Sequence, residues 1–184
     1  MVTIGAAYET KSTFQDFKFT VGGQDLKLAF DQPQVATLGV AVRPTAGLLL
    51  ALDGQWINWS DVMGKDLPKF KDEMGGFNMH WDDQFVVKVG VQYAIDALKL
   101  RLGYNYGKSP VDPASAYEAI LFPAISEQHF TIGAGYDFGN LAVNAAFVYS
   151  PDKKITGSNP SQGIVAYSTT MSQTAFELGG SYKF

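Results

Sequence analysis

Apolar and polar residues alternate with a period of two along most of this 184-residue chain, and the pattern limits the possible folds more than any other feature. Successive side chains of a β-strand point to opposite faces, so the alternation indicates strands with one apolar and one polar face. In the C-terminal segment, one face carries Phe176 and Leu178 and the other carries Glu177 and Gly179. The chain is therefore predicted to be all-β.

The alternating segments are about eight in number and long. They lie at residues 2–8, 36–42, 48–56, 84–93, 98–107, 127–138, 141–149 and 175–184. A tilted strand needs about 9–11 residues to cross a bilayer, whereas strands of globular proteins usually have about five or six. The lengths favour strands that span a membrane.

Aromatic residues stand near the ends of the apolar face in most segments. Phe85 and Tyr93 flank one segment, and Phe130 and Tyr136 lie in another. Such residues form the interfacial girdles of a membrane barrel. The opposite face carries Gly, Ala, Asn, Gln and isolated charges, which suit a wet or ligand-holding lumen better than the packed core of a sandwich.

The connections between segments alternate in length. Short links lie near residues 43–45, 96–97 and 139–140, and long ones at about 10–34, 60–82, 108–126 and 151–172. Outer-membrane barrels have short periplasmic turns and long extracellular loops. The sequence therefore predicts an antiparallel transmembrane β-barrel, multi-pass in the outer membrane of a Gram-negative bacterium, with its C-terminus in the periplasm.

Composition excludes several other classes. No window approaches the roughly 18 consecutive apolar residues of a spanning helix. A formal net charge of -4 leaves no basic stripe, so nucleic acid is not an expected partner. The chain has no cysteine and no catalytic fingerprint around its histidines, although His129 lies near Ser126. We expect no enzyme, no cofactor and no metal site.

The chain begins without a signal peptide, since Met1 to Ile4 run directly into an alternating segment. An exported protein needs such a leader. We therefore expect a mature or truncated piece of a longer protein, with a cytoplasmic protein as the alternative.

Several short elements resemble the last strands of the FadL/TodX outer-membrane transporters. They are Trp56-Ile57-Asn58-Trp59-Ser60, the run from Leu100 to Tyr106 followed by Ser109-Pro110-Val111, the run from Ile132 to Tyr136, and the run from Phe176 to Phe184. The order and spacing agree from about Val35 to Phe184, and more loosely before that.

The resemblance implies the last eight strands of a 14-stranded barrel, with residues 1–184 as one membrane segment and with the family's plug and early strands absent. It implies uptake of hydrophobic compounds, such as long-chain fatty acids, by a protein that is monomeric at full length and is surrounded by outer-membrane lipid and lipopolysaccharide. Two departures leave an aromatic hydrocarbon or alkane open as the ligand. Lys108 stands where the family commonly has an acid, and residues 122–129 lack the family's arginine.

Two luminal cations are candidates for holding a carboxylate head group. The alternation places Lys88 and Arg101 on the polar face, together with Lys99 nearer the periplasmic end. A cation there can make charge-assisted hydrogen bonds with a ligand carboxylate. The alternative is that these cations pair with luminal acids, namely Asp53, Asp137 or Glu177.

Apolar residues in two long loops are further candidates for ligand binding. The first loop carries Phe17, Phe19, Leu26, Leu28 and Phe30, at the position where the resemblance implies a capture groove; the second carries Ile120, Leu121 and Phe122. Packing of the loops on each other, or extension of the strands beyond the bilayer, would also explain them.

The C-terminus carries Gly179, Tyr182 and the terminal Phe184. This stretch resembles the signal that the barrel assembly machinery recognises, and a terminal aromatic also suits the periplasmic girdle. Two other interpretations remain open for the whole chain: a complete eight-stranded barrel with a binding or structural role, and a soluble β protein such as a lipocalin.

Overall fold

The computed structural model describes residues 1–21, 23–28, 31–64, 79–114, 116, 122–159 and 163–184. Its main element is an eight-stranded antiparallel sheet. The strands are β1 (Val2–Glu9), β4 (Val35–Val42), β5 (Leu48–Ile57), β6 (Gln84–Ile95), β7 (Leu98–Gly107), β8 (Gln128–Asp137), β9 (Leu141–Asn159) and β10 (Ile164–Tyr182). A separate hairpin pairs β2 (Phe17–Val21) with β3 (Gln24–Leu28), and one turn of 3-10 helix spans Trp59–Asp61. The all-β antiparallel prediction and its eight strands are confirmed.

Each strand of the large sheet pairs with the next one in order, from β1 through β4 to β10. β1 and β10 are the two end strands and do not pair with each other. The described sheet is therefore open, and it does not form the complete eight-stranded barrel that the sequence left as an alternative.

The apolar face of the sheet is the convex, outer face. Along β6, Phe85, Val89 and Tyr93 are exposed, whereas Val86 between them is buried. On the opposite face, one cavity is lined by Gln55 of β5 and Gln173 of β10, which are separated by four strands in the sheet. Strands so far apart share a cavity because the sheet curls around its polar face. A soluble lipocalin would instead bury its apolar residues inside.

Aromatic side chains form two bands on the outer face. Phe85 and Tyr93 are eight residues apart on β6, about 26 Å along the strand. With the usual tilt of barrel strands this corresponds to roughly 20 Å along the membrane normal, close to the apolar band of about 25 Å in outer-membrane barrels. The rings of Tyr104 and Phe130 are 5.0 Å apart in the upper band, and those of Tyr136 and Phe138 are 4.6 Å apart in the lower one.

The short links are tight turns at the predicted places, but the long connection predicted at residues 151–172 was wrong. β9 and β10 have 19 residues each, and their ladder continues through most of that segment. Each strand is therefore about 60 Å long and extends well beyond a bilayer. Ile155 and Tyr167 on its inner side pack against the loops, which explains why the ladder continues in water.

The buried apolar core lies among the extracellular loops, not within the sheet. It consists of Met79, Trp81, Val111, Ala116 and Ile125, and we call this cluster the loop cap. Trp59 packs edge-to-face on Trp81, with ring centroids 5.1 Å apart. For these described residues, loop packing explains apolar side chains in otherwise wet segments.

Asp83 fastens the loop after β5 to the start of β6. Its carboxylate accepts hydrogen bonds from Trp56 Nε1 at 3.0 Å, from Ser60 Oγ at 2.8 Å and from the Ser60 backbone N–H at 3.2 Å. The spacing of Trp56, Trp59 and Ser60 in the sequence therefore has a structural role. In the part of the chain that the structure describes, no helix has the length and hydropathy of a membrane span.

A charge at Leu102 should destabilise the sheet far more than one at Thr131. Leu102 is on the outer face, and Thr131 is on the inner face of the neighbouring strand, one residue out of its register. Lysine in the middle of a lipid-facing strand costs about 2–4 kcal/mol. We therefore expect Leu102→Lys to lower the free energy of unfolding in lipid vesicles by that amount and Thr131→Lys to lower it by less than about 1 kcal/mol. Equal losses would contradict the assignment of the outer face.

Candidate ligand site

A row of polar residues crosses the inner face of the sheet at one level. The strand register pairs Asp53 with Lys88, Lys88 with Asn105, and Asn105 with His129. Directly opposed residues on one face have Cβ atoms about 4.5–5.5 Å apart. The row therefore brings a cation, an amide and an imidazole together, and Lys88 faces the lumen as predicted.

Lys88 and Asp53 are paired in register but form no ion pair. Ion pairs in the described residues involve Lys11 and Lys153, not Lys88. The Asp53 carboxylate lies instead over Gly39 on the other side, where a Cβ would overlap it. Because Gly39 has no side chain, Asp53 turns away from Lys88. The predicted pairing of Lys88 with this acid is therefore not formed.

A cavity of about 320 Å³ lies over this row, between the sheet and the loop that precedes β8. It is lined by Gln55, Ile57, Gln84, Val86, Lys88, Asn105, Gly107, Pro123, Ala124, Ser126, Glu127, His129, Met171 and Gln173. We call it the luminal pocket. It combines an apolar portion with amides, Lys88, His129 and the Glu127 carboxylate, and a few polar groups in a partly apolar cavity are the usual composition of a small-molecule site.

Two polar atoms in the pocket wall have no hydrogen-bond partner within the described chain. They are Ser126 Oγ and His129 Nδ1, and both are shielded from solvent. Buried polar atoms are normally paired, so such groups often mark a place where a ligand or water binds. The two residues are not hydrogen-bonded to each other.

Glu127 holds the roof of the pocket to the β9–β10 hairpin. Its carboxylate accepts a hydrogen bond from Lys153 Nζ at 2.6 Å and another from the Ser109 N–H at 3.1 Å. Partial burial raises the pKa of Glu127, but the bonds from Lys153 and Ser109 and the charges of Lys153 and Lys108 outweigh it and hold the pKa below its ordinary value. The carboxylate is therefore ionised under ordinary conditions, and it joins both ends of the 108–126 loop to β9.

The Ser109-Pro110-Val111 element builds the same roof. Ser109 Oγ donates to the Ala124 carbonyl at 2.9 Å and accepts from the Val111 N–H at 3.2 Å. The Pro110 carbonyl accepts from the Asp82 N–H at 2.9 Å, and Val111 is buried in the loop cap. This element therefore fixes the loop over the pocket.

Arg101 lies on the same inner face but in a separate position. It is four residues from Asn105 along β7, roughly 13 Å closer to the periplasm. Its Nε donates to Gln92 Oε1 and its Nη1 donates to Asn144 Oδ1, both at 2.9 Å. Among the described residues it makes no ion pair, so the predicted alternative of pairing with luminal acids is not formed here either.

The structure places the loop candidates at the extracellular end, and it describes only some of them. Phe17 and Phe122 are exposed. Phe19, Leu26 and Leu28 lie in the β2–β3 hairpin, whose register pairs Phe17 with Leu28 and Phe19 with Leu26. Phe30, Ile120 and Leu121 lie outside the described residues. Of the candidates with described side chains, neither Phe17 nor Phe122 lines the cavity that contains Lys88.

The predicted assembly signal lies at the end of β10. Gly179 and Tyr182 are in the strand, and Phe184 follows it with a fully exposed side chain. The rings of Tyr182 and Phe184 are 5.3 Å apart in an edge-on contact. The three residues thus lie together at the periplasmic end of β10.

Sequence reasoning missed much of the luminal pocket. Gln55 and Asn105 occupy inner-face positions that the alternation identifies, whereas Gln173 precedes the predicted segment 175–184. Nothing in the sequence shows that β5 and β10 face each other across a cavity. The alternation puts His129 on the polar face of its strand without indicating a pocket. Glu127 begins the predicted segment 127–138, and its partner Lys153 falls in the connection predicted at 151–172, so the sequence gives no signal for this pair.

Solved structures of three outer-membrane proteins contain a similar sheet. A TodX mutant described as a monoaromatic hydrocarbon channel has a TM-score of 0.69 and 22% identity, over 100% of this chain and 46% of its own. A FadL homologue from Pseudomonas aeruginosa gives 0.71 and 18%, over 98% of this chain and 49% of its own. The Ralstonia pickettii toluene transporter TbuX gives 0.62 and 20%, over 98% and 44%. Comparison with curated protein sequences finds no match.

At these identities the structures show the fold, and the chain spans less than half the length of each of them. The family is shown by the sequence itself. Residues 3–184 match the family described as "Outer membrane protein transport protein (OMPP1/FadL/TodX)". The chain therefore belongs to the FadL/TodX family of outer-membrane transport proteins, and its eight strands are part of the wall of an outer-membrane β-barrel.

Proposed function

We propose that this protein takes up hydrophobic compounds that carry an ionised head group, such as long-chain fatty acids, across the outer membrane. The observation that carries the proposal is Lys88, a cation in the wall of the luminal pocket with no carboxylate partner among the described residues. An ammonium group in such a place has its charge available for a ligand carboxylate, and hydrogen bonds to charged groups contribute about 1.5–3 kcal/mol each.

The rest of the pocket suits the same ligand. Ser126 and His129 line the pocket, and each has a shielded polar atom without a partner in the described chain. Ile57, Val86 and Met171 supply apolar surface beside them. A volume of about 320 Å³ is near the lower end for small-molecule sites, which suits a head group and the first part of an alkyl chain.

Capture of the ligand from outside is assigned in this proposal to the extracellular loops. Exposed Phe17 and Phe122 support it, because large exposed apolar side chains at one end of a barrel give a hydrocarbon chain a first place to bind. The same role is proposed for the other apolar residues of these loops, Phe19, Leu26, Leu28, Phe30, Ile120 and Leu121. A larger barrel, in which residues 1–184 form one portion of the wall of a monomer, is supported by the open ends at β1 and β10.

A neutral aromatic hydrocarbon is the second candidate ligand. It is favoured by two of the solved structures with this fold, one described as a monoaromatic hydrocarbon channel and the other as a toluene transporter. The two candidate ligands differ in their interaction with Lys88, because a neutral hydrocarbon cannot form a charge-assisted hydrogen bond with a lysine.

Replacing Lys88 by methionine should weaken binding of laurate by about 10- to 100-fold, because one charge-assisted hydrogen bond is lost. Binding of toluene should not change. Lys99→Met is the matched control, since Lys99 is on the same face near the periplasmic end. Calorimetric titration in detergent measures both ligands. Laurate affinity that is equal in wild type and Lys88→Met would favour the neutral ligand.

Acid should release the pocket roof by protonating Glu127. Because its folded pKa is depressed, the pair with Lys153 contributes stability at neutral pH and loses it as the pH falls through a value below the ordinary 4.5. The three tryptophans lie in or beside the loop cap, so their fluorescence reports its opening. We expect an acid transition below pH 4.5 that is absent in Glu127→Gln. An unchanged transition in that variant would assign it to another group.

We also propose that Gly179, Tyr182 and Phe184 are read by the barrel assembly machinery, which is supported by their exposure at the end of β10. Phe184→Ala should lower the amount of folded protein in the outer membrane several-fold. Phe138→Ala, an exposed aromatic of the same band, is the control. Heat-modifiable electrophoretic mobility of membrane fractions measures the amount of folded protein. Equal losses in Phe184→Ala and Phe138→Ala would indicate that Phe184 acts only as an aromatic residue of the girdle.

A further inference from the structure

We propose that Arg101 forms a second anion-binding position in the lumen, on the periplasmic side of Lys88, which takes the carboxylate head group after it leaves the luminal pocket. The proposal rests on the proposed function for its ligand class. It adds a position that is separate from the pocket, since Arg101 is not among the pocket-lining residues.

The guanidinium group is held in place by neutral partners. Gln92 accepts from Nε and Asn144 accepts from Nη1, so amides on β6 and β9 fix the side chain of an arginine on β7. A guanidinium group has five N–H donors, and these bonds use two of them. The side chain is therefore already ordered, and its charge and remaining donors stay available for a carboxylate.

The nearest acids by register are too distant to neutralise Arg101. Glu177 stands at the same level on β10, but Arg101 pairs with Gly133, Gly133 with Ala146 and Ala146 with Glu177. Three strand spacings make roughly 14 Å. Asp137 is four residues from Gly133, about 13 Å along β8.

The backbone beneath the guanidinium group is adapted to this arrangement. A Cβ on Gly135 would overlap Asn144 Oδ1 and would lie 3.2 Å from Arg101 Nη1. Glycine at this position therefore allows the amide and the guanidinium group to meet across β8. An arginine whose side chain simply extended into water would not require the space over Gly135.

A row of small residues connects the two cations. Between the levels of Lys88 and Arg101, the register aligns Gly90 with Gly103 and Gly103 with Thr131. Small side chains leave room in the lumen beside the wall. The two cations are about 13 Å apart along the strand direction, so a head group that moves from one to the other passes over this row of small residues.

The test is calorimetric titration of the protein, purified from outer membranes in detergent, with laurate and with dodecanol as the uncharged probe. We expect two laurate sites in wild type. Arg101→Met should remove one of them or weaken it at least tenfold, and Arg101→Lys, which keeps the charge but loses the contacts with Gln92 and Asn144, should weaken it less than Arg101→Met does. Dodecanol binding should be the same in all three proteins.

Gly135→Ala is the second variant, since it leaves the charge in place but displaces Asn144. Gly135→Ala should weaken the same laurate site several-fold. If Arg101→Met does not fold, this variant alone tests the proposed position. Unchanged laurate binding in a folded Arg101→Met or Gly135→Ala protein would overturn the inference.

Lys88→Met separates this inference from the proposed function. If Lys88→Met removes one laurate site and Arg101→Met changes nothing, the inference fails and the proposed function stands. If only Arg101→Met removes a site, the role of Lys88 fails and the second position stands. A single laurate site in wild type that depends on Lys88 alone also overturns the inference.

Discussion

The structure depends on the pairing of backbone hydrogen bonds where no water can replace them. In the hydrocarbon region, each unpaired N–H or C=O costs several kcal/mol, so a chain that crosses with strands must pair every strand on both sides. The large sheet meets this requirement between all neighbouring strands and leaves an unpaired edge at β1 and at β10, and its apolar face points outward. Because the outer face contacts lipid, the polar side chains of the same strands must face the lumen. The lumen, with Lys88, Asn105 and Arg101 along its wall, is a consequence of that requirement.

The strands and their faces were predictable from the sequence because both follow from local alternation. Leu102 and Arg101 are neighbours in the chain, and period two alone assigns one to lipid and the other to the lumen. The extension of β9 and β10 was not predictable in the same way. Residues beyond the bilayer have water on one side and loops on the other, and the polar sequence of 151–159 resembles an ordinary loop. Its strand conformation depends on packing against residues distant in sequence.

The partners of the charged residues were also beyond the sequence, for a physical reason. Register shows that Asp53 and Lys88 are opposite each other, but the rotamer of Asp53 is decided by the empty space over Gly39 on the far side. Arg101 in the same way bonds to amides, because Gly135 lets Asn144 approach it. In both cases a glycine on a neighbouring strand determines where a charge goes. Such effects need the three-dimensional arrangement of three strands, which no local pattern contains.

The sheet and the loop cap are stabilised by different means, and this difference bears on the ligand entry proposed above. The sheet is held by continuous backbone pairing between lipid and lumen, so local opening there is costly. Among the described residues, the loop cap has five buried apolar side chains and a few side-chain bonds, among them Glu127 with Lys153 and Asp83 with Ser60. Elements with few buried contacts open at the lowest free energy. Because the luminal pocket lies between these two layers, the inexpensive way to expose Lys88 is to move the roof while the wall stays closed.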